Sequence, residues 1–149
     1  MKVDPEALVA AATAVRRFAH APYSGFRVGS AVLDESGNVH CGCNVENAAY
    51  PEGICAEANA IGTMVAEGGK RIVAIAAVGG RDKLEPCSPC GGCRQRILEF
   101  ADEHTRVFMI GPDGEIREHS IGDLLPTSFR LYKRRSRNAQ SNGGQSRRL

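Results

Sequence analysis

A chain of 149 residues, 42% of them hydrophobic, can bury one substantial core but not two comfortable ones, so a single domain is expected. Nineteen basic residues against 17 acidic give a formal charge of +2, too small an excess to argue for a nucleic-acid or membrane partner. The N-terminus meets charged residues before any apolar run reaches signal or membrane-spanning length, so a cytoplasmic protein is expected, in which clustered cysteines point to metal before disulfides.

Asp4 followed by Pro5 supplies an N-cap side chain and a proline at the first helical position, and the stripe Leu8, Ala11, Ala12, Val15 and Phe18 carries a helix to about His20. The segment Ala-Pro-Tyr-Ser-Gly at 21–25 breaks it. Residues 26–33 and 39–45 then flank Asp34-Glu35-Ser36-Gly37-Asn38 as two strands of a hairpin. After a loop rich in Asn, Pro and Gly, the residues Ala60, Ile61, Met64 and Val65 recur at helical spacing between Cys55 and Gly68-Gly69. The run 71–78 is nearly continuous in apolar residues, the pattern of a central strand covered on both faces. A third helix spans 90–100, followed by a strand at 107–110, the turn Pro112-Asp113-Gly114 and a last short strand. The order α, ββ, α, β, α, β, β predicts an α/β fold, a three-layer α/β/α sandwich on a five-stranded mixed sheet with right-handed crossovers. This domain is expected to cover 1–132. The remaining stretch, 133–149, holds six of the basic residues and almost no apolar ones, so it reads as a disordered basic tail.

Two features carry chemistry together. Cys55-Ala56-Glu57 opens one predicted helix and Pro89-Cys90-Gly91-Gly92-Cys93 opens the next. Cys90 and Cys93 lie one turn apart on one side of a helix and can chelate one ion, with Cys55 as a third ligand. Helix N-termini favour the thiolate form that binds metal. Three protein ligands leave a fourth position for water, the arrangement of a catalytic zinc, one per subunit. Glu57 is then a carboxylate near the metal but not on it, able to accept a water proton and return it to a substrate. The competing reading is a closed structural site in which Cys87 supplies a fourth sulfur and no turnover occurs. Cys41 and Cys43 alternate on one strand and read as packed core residues. His20, His40, His104 and His119 share no motif and read as surface or local structural residues.

The stretches APYSGFRVGSAVL, GCNVENAAYPEGICAE, SPCGGCRQ and LLPTSF, in this order and at these intervals, resemble the small cytidine deaminases from about Ala21 to Phe129. The resemblance implies zinc-dependent hydrolysis of cytidine and deoxycytidine to uridine and deoxyuridine in pyrimidine salvage. It implies a homotetramer with active sites at subunit interfaces, acting on free nucleoside with no nucleic acid or membrane involved. It further implies that Asn44 and Glu46 hold the ribose hydroxyls, that Phe26 lies against the base, and that the Ala56 N–H and a carbonyl near Cys90 fix the base edge. Tyr50 and Phe129 would complete the pocket across subunit contacts. A deaminase for another cytosine nucleoside, such as blasticidin S, shares the cysteine core, but Asn44-Val45-Glu46-Asn47 favours a ribose pocket. The sequence departs from many three-cysteine relatives in carrying Ala58 directly after the glutamate, where they have an arginine. Three thiolates leave the site formally negative, and the helix termini together with Arg94, immediately after Cys93, are expected to compensate.

Overall fold

The computed structural model describes residues 1–131, so the expectation for 133–149 lies outside the described residues. The first helix, α1 (Pro5–Arg16), starts as expected: Asp4 accepts the Ala7 N–H at 3.1 Å, and proline occupies the first turn. It stops a turn before His20. The Arg16 guanidinium turns away to donate to the carbonyls of Arg27, Gly80 and Arg81, and Phe18, the last member of the apolar stripe, is 67% exposed. The stripe thus runs past the end of the core it was read to cover.

Strands β1 (Arg27–Asp34) and β2 (Val39–Cys43) form the hairpin, and β3 (Ile72–Gly80), β4 (Arg106–Ile110) and β5 (Ile116–Ser120) complete one sheet of order β2-β1-β3-β4-β5. Only β3 and β4 pair in parallel, so the five-stranded sheet is mixed, with the apolar β3 at its centre. Helix α1 covers one face, packing Leu8, Val9 and Ala12 against Ala31, Ala76, Val78 and Phe108. On the other face lie α2 (Ala56–Ala66), α3 (Gly91–Glu99) and the short α4 (Ile121–Leu124), whose Ile61, Met64, Ile97 and Ile121 meet Val32, Ile75 and Val107. This is the three-layer sandwich. Helix α4 is an addition to the sequence reading, and its one local signal is the capping box between Ser120 and Asp123.

Two glycines set how close the helices come to the hairpin. A Cβ at Gly29 would lie 1.9 Å from the Ala12 carbonyl oxygen of α1, and one at Gly42 would lie 2.3 Å from the Ala60 nitrogen of α2. Both helices therefore rest directly on strand backbone, from opposite sides. That close seat fixes the height of α2, and with it the start of the helix where Cys55 and Glu57 stand.

Candidate active site

Cys55 is the N-cap of α2 and Cys90 the N-cap of α3; the Cys55 side chain makes no bond to its own helix, and Cys90 Sγ is drawn toward the Cys93 N–H in the first turn of its helix. Both sulfurs lie beside that of Cys93. Cys93 follows one turn into α3 and is fully buried. The three sulfurs lie within 4.8 Å of one another, with Cys55 Sγ and Cys90 Sγ at 4.0 Å. Tetrahedral Zn–S bonds of about 2.3 Å separate their sulfurs by roughly 3.8 Å, so this set fits a single zinc ion with little adjustment. Burial, assisted by the charge of Glu57 and the neighbouring sulfurs, pushes the Cys93 thiol up. Burial also opposes ionisation of Cys90, but donation from the Cys93 N–H and from the thiols of Cys93 and Cys55 outweighs it and lowers its pKa.

Cys87 is not in the cluster. Its sulfur packs over the end of β3, so close that a Cβ on Gly79 would lie 3.0 Å from it, and burial pushes its thiol up to about 11. Among the described residues the metal-binding group is therefore three sulfurs, and the four-sulfur alternative finds no support. Cys41 is half-buried against the α1-side core, as read from the sequence, and Cys43 is half-buried beside it on the strand.

Glu57 occupies the first turn of α2 and is 4% exposed, with its Oε2 3.5 Å from Cys93 Sγ. Burial raises its pKa against the pull of its own backbone N–H, Cys93 and the positive charge of Arg96. A carboxyl group in that setting can hold a proton and give it up.

The expected charge partner is corrected. The three nitrogens of Arg94 are taken up by the Pro89 carbonyl, the Leu124 carbonyl and Ser88 Oγ rather than by a sulfur, fastening the loop before Cys90 to α4. Arg96 is the arginine at the cluster, with Nη1 3.6 Å from Cys93 Sγ. The signal for it was available, because a residue three positions on lies over Cys93 on the same helix face, whereas the next residue does not.

Of the residues read as a nucleoside pocket, Asn44, Glu46 and Phe26 come together at the hairpin's open end, whereas Phe129 lies apart from them in this chain. Asn44 bonds through Oδ1 to the Val28 N–H at 2.8 Å and through Nδ2 to the Phe26 carbonyl at 2.9 Å. Glu46 accepts from the N–H groups of Tyr23 and Ser24 and from Ser24 Oγ. Phe26 is half-buried, with the Arg81 guanidinium 5.6 Å from its ring centroid. Ala56, fully buried, is the first residue of α2, where a backbone N–H has no partner within the helix. Tyr50 is 76% exposed and meets Tyr23 edge to face at 5.8 Å. Phe129 is exposed too, its carbonyl held by Gln95 Nε2 at 3.0 Å along the flank of α3. Sequence reasoning gave Ser24 no role, although it lies in the APYSGF stretch, because its contact with Glu46 depends on how that turn folds.

Residues 2–109 match the family described as the cytidine and deoxycytidylate deaminase zinc-binding region. The chain belongs to this deaminase family. Over 127 residues it is 41% identical to the cytidine deaminase of Sporosarcina psychrophila, covering 85% of this chain and 92% of that one. Its fold is similar to the crystal structure of cytidine deaminase from Burkholderia pseudomallei, with TM-score 0.77 and 42% identity over 85% of this chain and 100% of the other. The cytidine deaminase of Mycobacterium tuberculosis gives TM-score 0.76 at 38% identity, covering 87% of this chain and 100% of the other. The deaminase chain is thus an enzyme of a zinc-binding family, and it presents three converging sulfurs that suit that metal.

Proposed function

We propose that the protein hydrolyses cytidine and deoxycytidine to uridine and deoxyuridine with release of ammonia, as a cytoplasmic homotetramer of pyrimidine salvage. The observation that carries this reading is a buried carboxylate, Glu57, held 3.5 Å from one of three convergent sulfurs at paired helix N-termini. Cys55, Cys90 and Cys93 would hold the zinc, which when bound supplies Lewis acidity that makes a water molecule ionisable near neutral pH.

The remaining work falls to the chain's own groups. Glu57 carries a proton from the attacking water to N3 of the cytosine ring as a C–O bond forms at C4. It then carries the proton of the new hydroxyl to the 4-amino nitrogen, and the C4–N bond breaks to release ammonia. The Ala56 N–H, without a partner inside its helix, would bind the base edge, and Phe26 would offer an aromatic face to the ring. Asn44 and Glu46 supply polar groups for the ribose hydroxyls. Exposed Tyr50 and Phe129 are suited to a site closed by neighbouring subunits, since neither is buried among the described residues. No helix among the described residues is long and apolar enough to cross a membrane.

The test is a cytidine deamination assay on metal-quantified protein beside Glu57→Gln. The variant is expected to keep its zinc and to lose turnover by about 10²–10⁴-fold or more, the usual worth of a positioned acid–base group. Undiminished turnover in Glu57→Gln would remove the proposed mechanism.

A further inference from the structure

The pocket residues read from the sequence are Asn44, Glu46 and Phe26, but the side chain that ties two of them together is Ser24. Its Oγ accepts the Phe26 N–H at 2.9 Å and lies 2.5 Å from Glu46 Oε2. Because the oxygen already accepts from Phe26, and a carboxylate can only accept, the hydroxyl proton is directed to Glu46. The other carboxylate oxygen, Oε1, accepts the N–H groups of Tyr23 and Ser24 at 3.0 and 3.1 Å. Glu46 is thus gripped by three donors from one short turn. The turn is itself fixed, for the Gly25 N–H reaches the Ala21 carbonyl at 2.9 Å and the Glu46 N–H reaches the His20 carbonyl at 2.8 Å.

A carboxylate has about four acceptor positions, two on each oxygen. Both on Oε1 are used by the backbone, and one on Oε2 is used by Ser24. The position left over is on Oε2, the oxygen that Ser24 orients. We propose that Ser24 is a positioning residue for substrate binding, which aims the one remaining acceptor of Glu46 at a ribose hydroxyl. The inference rests on the reading that Glu46 binds the sugar. The three donors also keep the carboxylate ionised, which suits an acceptor for a neutral hydroxyl.

Ser24 lies on the surface, and its replacement leaves Tyr23 and Ser24 N–H groups in place, so Ser24→Ala is expected to fold and to bind zinc like the parent. Steady-state kinetics on cytidine should show KM raised about tenfold, as for loss of one charge-assisted hydrogen bond, with kcat within about twofold. Ser24→Thr keeps the hydroxyl and should restore most of the loss. With 2′,3′-dideoxycytidine, which lacks the 2′- and 3′-hydroxyls that Glu46 would accept from, the penalty on kcat/KM should shrink to about twofold, a discrimination that a merely structural serine would not produce. Adding Ser24→Ala to Glu46→Gln should raise KM little further, because the charged acceptor that Ser24 orients is already gone. Equal penalties on the two substrates, or an unchanged KM for cytidine in Ser24→Ala while Glu46→Gln raises it, would overturn the role of Ser24 alone. An unchanged KM in Glu46→Gln would instead remove the sugar-binding reading on which that role depends.

Discussion

A zinc ion held by three thiolates keeps one formal negative charge, which works against ionisation of a nearby water unless something positive stands close. Ala58 cannot supply it. Arg96 can, since its Nη1 donates to Cys93 Sγ at 3.6 Å and its charge is felt at Glu57. Arg96→Gln is therefore expected to weaken zinc binding about tenfold in a chelator competition at neutral pH, the low end for loss of a group that supports a ligand, because the arginine is itself exposed. Arg94→Gln should leave the zinc constant within about twofold, for its bonds go to Pro89, Leu124 and Ser88. Equal zinc affinity in all three proteins would dismiss Arg96 as the compensating charge. At this scale the sequence was informative where chemistry depends on spacing. C-x-E and C-x-x-C at two helix starts placed four side chains together, because a helix turn fixes which of them share a side. It misled where adjacency stood in for direction, and it was silent on Ser24, whose role comes from a turn that folds back on Glu46.

At the scale of elements, the hairpin and α2 are fastened at the end remote from the sulfurs by an ionic cluster in which Asp34 and His40 are buried and Glu67 is exposed. His40 of β2 is 3% exposed, with Nε2 2.7 Å from the buried Asp34 and Nδ1 2.5 Å from Glu67 just past α2. Asp34 also accepts the N–H groups of Ser36 and Asn38 and so holds the hairpin turn. The His40 bond, with the turn N–H groups in support, lowers the Asp34 pKa from 3.8 to about 2. Burial alone would depress His40, but its bonds to Asp34 and Glu67 prevail and raise it above 6.5. The signs follow from which state binds protons more tightly. The Asp34 contribution is complete above pH 3.8 and lost as pH falls toward 2, while that of His40 is complete below pH 6.5 and lost as pH rises through its elevated folded value. Urea unfolding of the parent should thus weaken at both extremes. His40→Gln should be less stable by about 3 kcal/mol at pH 6, as when one partner of a buried ion pair is removed, and should lack the alkaline decline. A parallel decline in the variant would place its cause elsewhere. The elements themselves were legible because β3 is apolar on both faces and the hairpin turn is rich in Ser, Gly and Asn. The end of α1 and the presence of α4 were not, since one depends on where Arg16 finds carbonyls across the sheet and the other on four residues packed under α3.

The whole molecule presents Tyr50 and Phe129 in a way that a lone chain does not explain. Phe129 is 69% exposed, yet its carbonyl is bonded to Gln95, and the next residue, Arg130, donates to the carbonyls of Leu98 and Ala101 at the end of α3. The segment is pinned and the ring is held outward. An aromatic group fixed in water has an uncompensated apolar surface, which a symmetric assembly can cover by placing it in a neighbour's cleft. In the proposed tetramer, Phe129 then serves a site whose Glu57 belongs to another subunit, and mixing two defective proteins tests this directly. Glu57→Gln and Phe129→Ala are each expected to be poorly active alone, but unfolded together and refolded as mixed tetramers they should regain activity. Half of the sites carry an intact Glu57 and half of those receive an intact Phe129 from a neighbour, so random mixing restores roughly a quarter of parental turnover. If both residues act within one chain, no arrangement of subunits rebuilds a complete site, and the mixture yields only the mean of its two components.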